Sequence, residues 1–458
     1  MKATFIGGGA HRLLPTLRAT LEHPEILNRG EIFLHDLNVP RAEAMGKILQ
    51  KTPEYRKNPV TIRWGDSLPK ALDGADAVSV ILMAGSLLSY ERANAESLRH
   101  GFWGSDNVSP SGAFLAAKGA PILKKIVAEM ERLCPDAWLL DFVNPAGVLS
   151  GMLNRHTKIK TLGVCAGFTN YQWDLARIFG KNEWSSDFEI RAAGVNHLSL
   201  ILDGTRNGRD LFTELDQLLE NGWEVPAFDP PIPQITIRGL QKLVQIYRDL
   251  GILIFSTELD GMAHLFYEEE VLRSADNIPS DKEIVALVEK QHLKRQEQNE
   301  KFEHHVNQEL DDAFWHNQGP LSSFSKYKDN IFSRLLKGIS GMAPVEIVAS
   351  RLNEGAIAGF ADDLAVEYSQ RLYKDKTTPT GRFVIPPVAE GLIHSLAVHQ
   401  TLLGDACFAE DPRLFAHALL AYPIKTYSAD AKSLYRTLIG IHRDELPIAL
   451  REIHSSLA

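Results

Sequence analysis

The stretch Lys2-Ala-Thr-Phe-Ile-Gly-Gly-Gly-Ala-His11 constrains this chain more than any other. A short β-branched and aromatic run enters three consecutive glycines, and Leu14, Leu17 and Leu21 follow at helical spacing. The pattern predicts a strand, a tight turn and a helix. Backbone N–H groups at a helix N-terminus point outward, and the helix dipole favours an anion there. Glycines let the backbone approach a diphosphate closely, so Gly7, Gly8 and Gly9 are the candidate cradle. Position 12 is Arg where the common fingerprint has its third glycine, and the turn alone is a weak signal. The next strand strengthens it. Glu31-Ile-Phe-Leu-His-Asp36 ends in a carboxylate, placed to take two ribose hydroxyls. A glycine turn, one helix and a second strand ending in an acid form the unit expected for dinucleotide binding. The competing reading is a glycine-rich turn without a ligand.

From the first strand to about Ala166, strand-like and helix-like stretches alternate. Asp76–Met83, Trp138–Val143 and Thr161–Cys165 are apolar runs of the kind found in parallel strands buried on both faces. The helix 113–133 precedes the second of them, and the helix 171–179 follows the third. Such alternation implies a doubly wound sheet, whose ligand crevice lies at the carboxyl ends of its strands. The residues after those ends are Ala84-Gly85-Ser86, Asn144-Pro145-Ala146 and Cys165-Ala166-Gly167. Phe188–Leu202 reads as a strand, a break and another strand. Beyond about Asp203 longer helical patterns dominate, including Lys282–Val306, a charged helix expected to face solvent or another subunit. The expected fold class is α/β: an N-terminal Rossmann-like doubly wound sheet over 1–195, and a mostly helical α+β domain over 196–458.

The net charge of −9 does not favour a nucleic-acid backbone or an anionic membrane as partner. No apolar run is long enough to span a bilayer, and the chain enters its first strand without a basic-then-apolar leader. Cys134, Cys165 and Cys407 are widely spaced and form no CxxC pair. They suggest a reducing, cytoplasmic setting in place of a disulfide framework.

Cys165 and His197 each stand at or just past an expected strand end. A thiolate and an imidazole together suit a borderline divalent metal, and two protein ligands leave positions open for substrate oxygens and water. Taken singly, a cysteine is as readily core packing and a histidine structural. Asp260, His264 and Tyr267 lie in Phe255–Tyr267, where polar groups are set in an apolar frame. Asp260 before Gly261 reads as a turn or as a general base, and Tyr267 is a second candidate base. Arg92 follows the strand 76–83, where an arginine either clamps a polar substrate or sits on a surface helix.

Taken together, these residues resemble glycoside hydrolase family 4, the NAD- and divalent-metal-dependent glycosidases related in fold to lactate and malate dehydrogenases. The resemblance runs over nearly the whole chain and rests on motif order. Gly7, Gly9 and Asp36 come first, then Arg92 and the tract Gly101–Gly112. Cys134-Pro-Asp-Ala-Trp…Asn-Pro-Ala-Gly147, Gly163-Val-Cys165, Gly194-Val-Asn-His197-Leu and Asn353…Val-Glu367 follow. The resemblance implies that bound NAD+ takes a hydride from C3 of a sugar, after which a base removes the acidified C2 proton. The aglycone then leaves, water adds, and the hydride returns. It also implies Cys165 and His197 as ligands of Mn2+ or another divalent metal, and Asp260 or Tyr267 as the base. Gly7, Gly8, Gly9, Asp36 and Arg41 become the NAD contacts, and Arg92, Asn144 and Asn196 the substrate contacts. The expected partner is a small carbohydrate, an α-glycoside, a uronide or a 6-phospho-glycoside, acted on by a cytoplasmic homodimer or homotetramer. This sequence departs from the family pattern in four places, one of them an Asp260-to-His264 spacing that looks two residues longer than in members with an Asp base. Ala166 follows the cysteine where Asn, Asp or His is usual, Gly104–Gly112 has lost several tract positions, and Lys118 replaces an arginine. The alternatives are a dehydrogenase of the lactate/malate type, a non-catalytic NAD-binding regulator, and a hydrolase built on a carboxylate pair.

Overall fold

The computed structural model describes residues 1–458 except 12, 166–169, 184, 221, 255–276, 318–330, 426–428 and 458. Its strands are β1 (Lys2–Ile6), β2 (Glu31–His35), β3 (Thr61–Gly65), β4 (Ala77–Val80), β5 (Trp138–Asp141), β6 (Lys160–Gly163) and β7 (Phe188–Val195). They continue with β8 (Leu198–Arg206), β9 (Arg209–Asp210), β10 (Leu253–Ile254), β11 (Val345–Leu352), β12 (Ala365–Leu372) and β13 (Thr377–Pro379). Strands β3-β2-β1-β4-β5-β6 are parallel neighbours in that order. This is the strand order of a doubly wound sheet, and the expected α/β class is the one found.

The local reasons are readable. Every residue of β4 and β5 is buried, which is why these strands are apolar throughout instead of alternating. Pairing in β4 stops at Val80, and after one more bond from Ile81 N to Ile6 O the chain leaves the sheet, earlier than the apolar run suggested. The helix expected from 113 begins at Pro110, because Ser109 caps it by accepting from Gly112 N at 3.0 Å and proline suits the first turn.

The C-terminal half contributes more than helices. β11 lies antiparallel to β6, with β12, β7 and β8 beyond it, so among the described residues one sheet runs through both halves. The helix Pro387–Ala409 packs across the helix Ala146–His156, and one apolar core extends from Ala3 to Leu457. A single line of paired residues crosses the sheet: Gly65, His35, Ile6, Val80, Asp141, Gly163, Ser350, Glu367, Gly194 and Ser199. The glycine turn, Asp36, Asn144, Cys165 and His197 all lie within three residues beyond that line.

Candidate active site

At the glycine turn the backbone passes between two strands. Gly7 has φ +86°, and a Cβ there would lie 2.0 Å from the Ile81 carbonyl oxygen. A Cβ at Gly8 would come within 2.7 Å of Leu34 Cα. Gly7 N and Gly8 N donate to His35 O at 2.9 and 2.8 Å. Gly9 N donates to Asp36 Oδ2, and Asn38 N to Asp36 Oδ1, each at 2.9 Å. A carboxylate oxygen accepts more than one hydrogen bond, so Asp36 retains capacity for ribose hydroxyls. Arg41 donates from Nη2 to Gly9 O at 3.2 Å. His11 stacks on Phe302 with ring centroids 4.5 Å apart. Burial, then the Arg41 charge, lowers its pKa.

Cys165 and His197, 32 positions apart in sequence, meet with Sγ 3.3 Å from Nε2. Cys165 stands two residues beyond Gly163, the last residue of β6. His197 occupies a two-residue hairpin turn closed by the Val195–Leu198 pair, with φ +68°. Two-residue hairpins need such left-handed backbone, which few residues other than glycine adopt, His being among those that do so more often. The preceding Asn196 donates from Nδ2 to Glu367 Oε2 at 2.9 Å. Glu367 also accepts from Ser199 Oγ at 2.8 Å and Ser350 Oγ at 3.3 Å. It is fully buried, and burial raises its pKa against the pull of those donors.

Asn144 lies just before the helix Ala146–His156, and its Asn144–Pro145 peptide is cis. Its Nδ2 donates to Asp106 Oδ2 at 2.7 Å. A Cβ on Gly147 would lie 3.5 Å from Asn196 Cβ and 2.7 Å from Gln400 Oε1. The start of that helix thus sits against the hairpin that carries His197. At the end of β5, Asp141 accepts from Val143 N at 3.0 Å, and burial pushes its carboxyl up to about 8.

Of the residues expected at the site, the structure brings Cys165, His197, Asn144 and Asn196 to one edge of the sheet and Gly7–Gly9, Asp36 and Arg41 to the glycine turn. The Arg92 guanidinium holds Asp281 at 2.6 and 3.0 Å on the protein surface. Asp260, His264, Tyr267 and Ala166 lie outside the described residues. Among the described residues no group of three or more His, Cys, Asp and Glu side chains forms a metal cluster. Asp106, within the altered tract, and the buried Glu367 are neighbours that residue types alone did not single out. The clue to Glu367 in the sequence was its place at the end of the Asn353…Val-Glu367 segment. Lys118, also buried, reaches Glu445 Oε2 at 2.8 Å and His442 Nδ1 at 3.2 Å, beside Gly85.

The profile of the family 4 glycosyl hydrolases matches residues 2–181, and that of their C-terminal domain matches residues 192–424. The chain belongs to the family 4 glycosyl hydrolases. This family 4 enzyme is 26% identical over 462 residues to a 6-phospho-beta-glucosidase of Escherichia coli, covering 98% of this chain and 96% of that one. It is 23% identical to an alpha-galacturonidase of Thermoanaerobacter italicus, covering 97% of each. Its fold is shared with a solved 6-phospho-alpha-glucosidase from gut microorganisms in complex with NAD and Mn2+. That match has a TM-score of 0.79 and 18% identity, and it covers 99% of both chains.

Proposed function

We propose that this glycosidase works with NAD and a divalent metal such as Mn2+, held at the edge of the sheet described above. The observation that carries the reading is the 3.3 Å approach of Cys165 Sγ and His197 Nε2. Metal–nitrogen and metal–sulfur bonds of about 2.1 and 2.3 Å together exceed that separation, so one ion fits both donors. The glycine turn supports the reading because it lies directly against Asp36 and Arg41, whose side-chain atoms stand 2.9 and 2.7 Å from where a Gly9 Cβ would be. When bound, NAD+ and the metal supply hydride acceptance at C3 of the sugar and polarisation of the C2 and C3 oxygens.

The chain's own residues do the rest. Gly7–Gly9, Asp36 and Arg41 hold the cofactor, and Cys165 and His197 hold the ion. Asn144 and Asn196 bind sugar hydroxyls. Among the described residues Asn196 Oδ1 is a buried acceptor with no hydrogen-bond partner, ready for a hydroxyl donor. Asp260 or Tyr267 removes the C2 proton. Arg92 contributes to substrate binding only by releasing Asp281. The substrate is a small glycoside, with 6-phospho-glycosides and uronides first in rank because the relatives above act on both kinds. The remaining assignments are a cytoplasmic location, a homodimer or homotetramer, and a division between a cofactor domain and a substrate domain near residue 195.

The test is hydrolysis of a panel of nitrophenyl glycosides, 6-phosphates and uronides of both anomers included, with NAD+, Mn2+ and a thiol reductant. The thiol matters because an oxidised cysteine cannot serve as ligand. Hydrolysis should require both additions and be lost in Cys165→Ser. Equal rates after stripping NAD and metal would sink the reading, and net accumulation of NADH would point to the dehydrogenase alternative.

A further inference from the structure

We propose that Glu367 is a positioning residue for the Cys165–His197 pair and acts through Asn196. This rests on the reading that the pair holds the metal. Glu367 lies on a central strand of the sheet, 2% exposed. A carboxylate there is costly unless its lone pairs are satisfied, and an apolar residue would build β12 with less penalty. Its three donors explain its presence. Asn196 precedes His197 in the two-residue turn and Ser199 follows it, so one carboxylate grips the turn from both sides. Ser350, the third donor, is the β11 residue paired with Gly163, two residues before Cys165. The same carboxylate therefore ties together the strand end that delivers the thiolate and the turn that delivers the imidazole. His197 has a left-handed φ that a β-carbon disfavours. A turn in that conformation keeps its geometry only when its surroundings over-determine it.

Mn2+ binding, read from loss of the free-ion EPR signal, tests this in wild type, Cys165→Ser, Glu367→Gln and Ser350→Ala. NAD+ affinity and thermal unfolding serve as controls of fold. Glu367→Gln should bind NAD+ within about twofold of wild type yet lose about ten- to a hundredfold in Mn2+ affinity, the usual effect of removing a support behind a metal ligand. Ser350→Ala, which leaves the carboxylate and two of its donors in place, should lose severalfold and keep its NAD+ affinity. A folded Glu367→Gln with wild-type Mn2+ affinity overturns the proposal, provided Cys165→Ser has lost its metal. Should Glu367→Gln not fold, unchanged Mn2+ affinity in Ser350→Ala overturns it equally. Unchanged Mn2+ affinity in Cys165→Ser removes the metal-site reading itself, and this proposal with it.

Discussion

One added methyl group probes the glycine turn. At Gly7 it would meet the Ile81 carbonyl at 2.0 Å in a backbone with φ +86°. Gly7→Ala should therefore destabilise the fold by about 2 kcal/mol or more and weaken NAD+ binding at least tenfold, as denaturant titration and cofactor fluorescence would show. Asp141 makes a different prediction. Its folded carboxyl is raised to about 8 by burial, against about 3.9 for an unfolded aspartate. The folded chain keeps a proton that the unfolded chain releases, so this group lowers stability progressively as pH rises from about 4 to about 8. Asp141→Asn keeps an acceptor for Val143 N and should flatten that decline. Parallel stability–pH curves for the two proteins would show that the side chain is not protonated in the fold. Residue type and order are enough to single out Cys165 and His197, because few side chains bind a borderline metal. Glu367 is legible only as one letter of a motif, because its role depends on three donors from β11, the β7–β8 turn and β8.

The helix Asp281–Val306 shows what an element's pattern conveys and what it omits. Its charge-rich sequence reads as solvated, and much of it is exposed. Yet Ile284 and Val288 pack in a small apolar cluster against the helix Leu87–Arg99, and Phe302 meets His11 of the glycine turn. The helix thus braces the glycine turn. Its start is fixed by a capping box, in which Ser280 Oγ accepts from Glu283 N and Glu283 accepts from Ser280 N. Ser280→Ala should cost about 1 kcal/mol, measured by urea unfolding. Arg92→Ala removes an exposed bridge to the same helix and should leave stability almost unchanged in the same titration. A large rise in KM for that variant would restore Arg92 to the substrate site. The hairpin β7–β8 was readable as strand, break and strand, since two apolar runs flank Asn196-His197. Which residue would take the left-handed turn position was not.

At the scale of the molecule, the sheet joins both halves and the C-terminal segment returns to the N-terminal half. Glu445 accepts from Lys118, from Ser89 Oγ and from Ser86 N at the loop after β4. Burial raises its carboxyl pKa, but hydrogen bonds from His442, Lys118, Ser86 and Ser89 outweigh burial and hold it well below the usual range. A depressed folded pKa contributes stability above the unfolded value of about 4.3 and loses it as pH falls through that range. Glu445→Gln would leave the Lys118 ammonium buried with no carboxylate beside it. It should lower stability at pH 7 by about 2–3 kcal/mol, toward the low end for a buried pair because Glu445 is a quarter exposed. The loss should begin to shrink below about pH 4 and keep shrinking as pH falls further in denaturant titrations. By itself the sequence determined the parallel half of the sheet, the glycine turn with its acid, and the residue types of the thiolate–imidazole pair. Local periodicity, turn chemistry and side-chain donors are properties of neighbours in the chain. Only the tertiary structure decided that strands from the far half extend the same sheet, that Arg92 is held by Asp281, and that Glu367 stands behind His197. Those depend on which distant segments pair, and register between strands hundreds of residues apart is set by burial of their faces, not by any local signal.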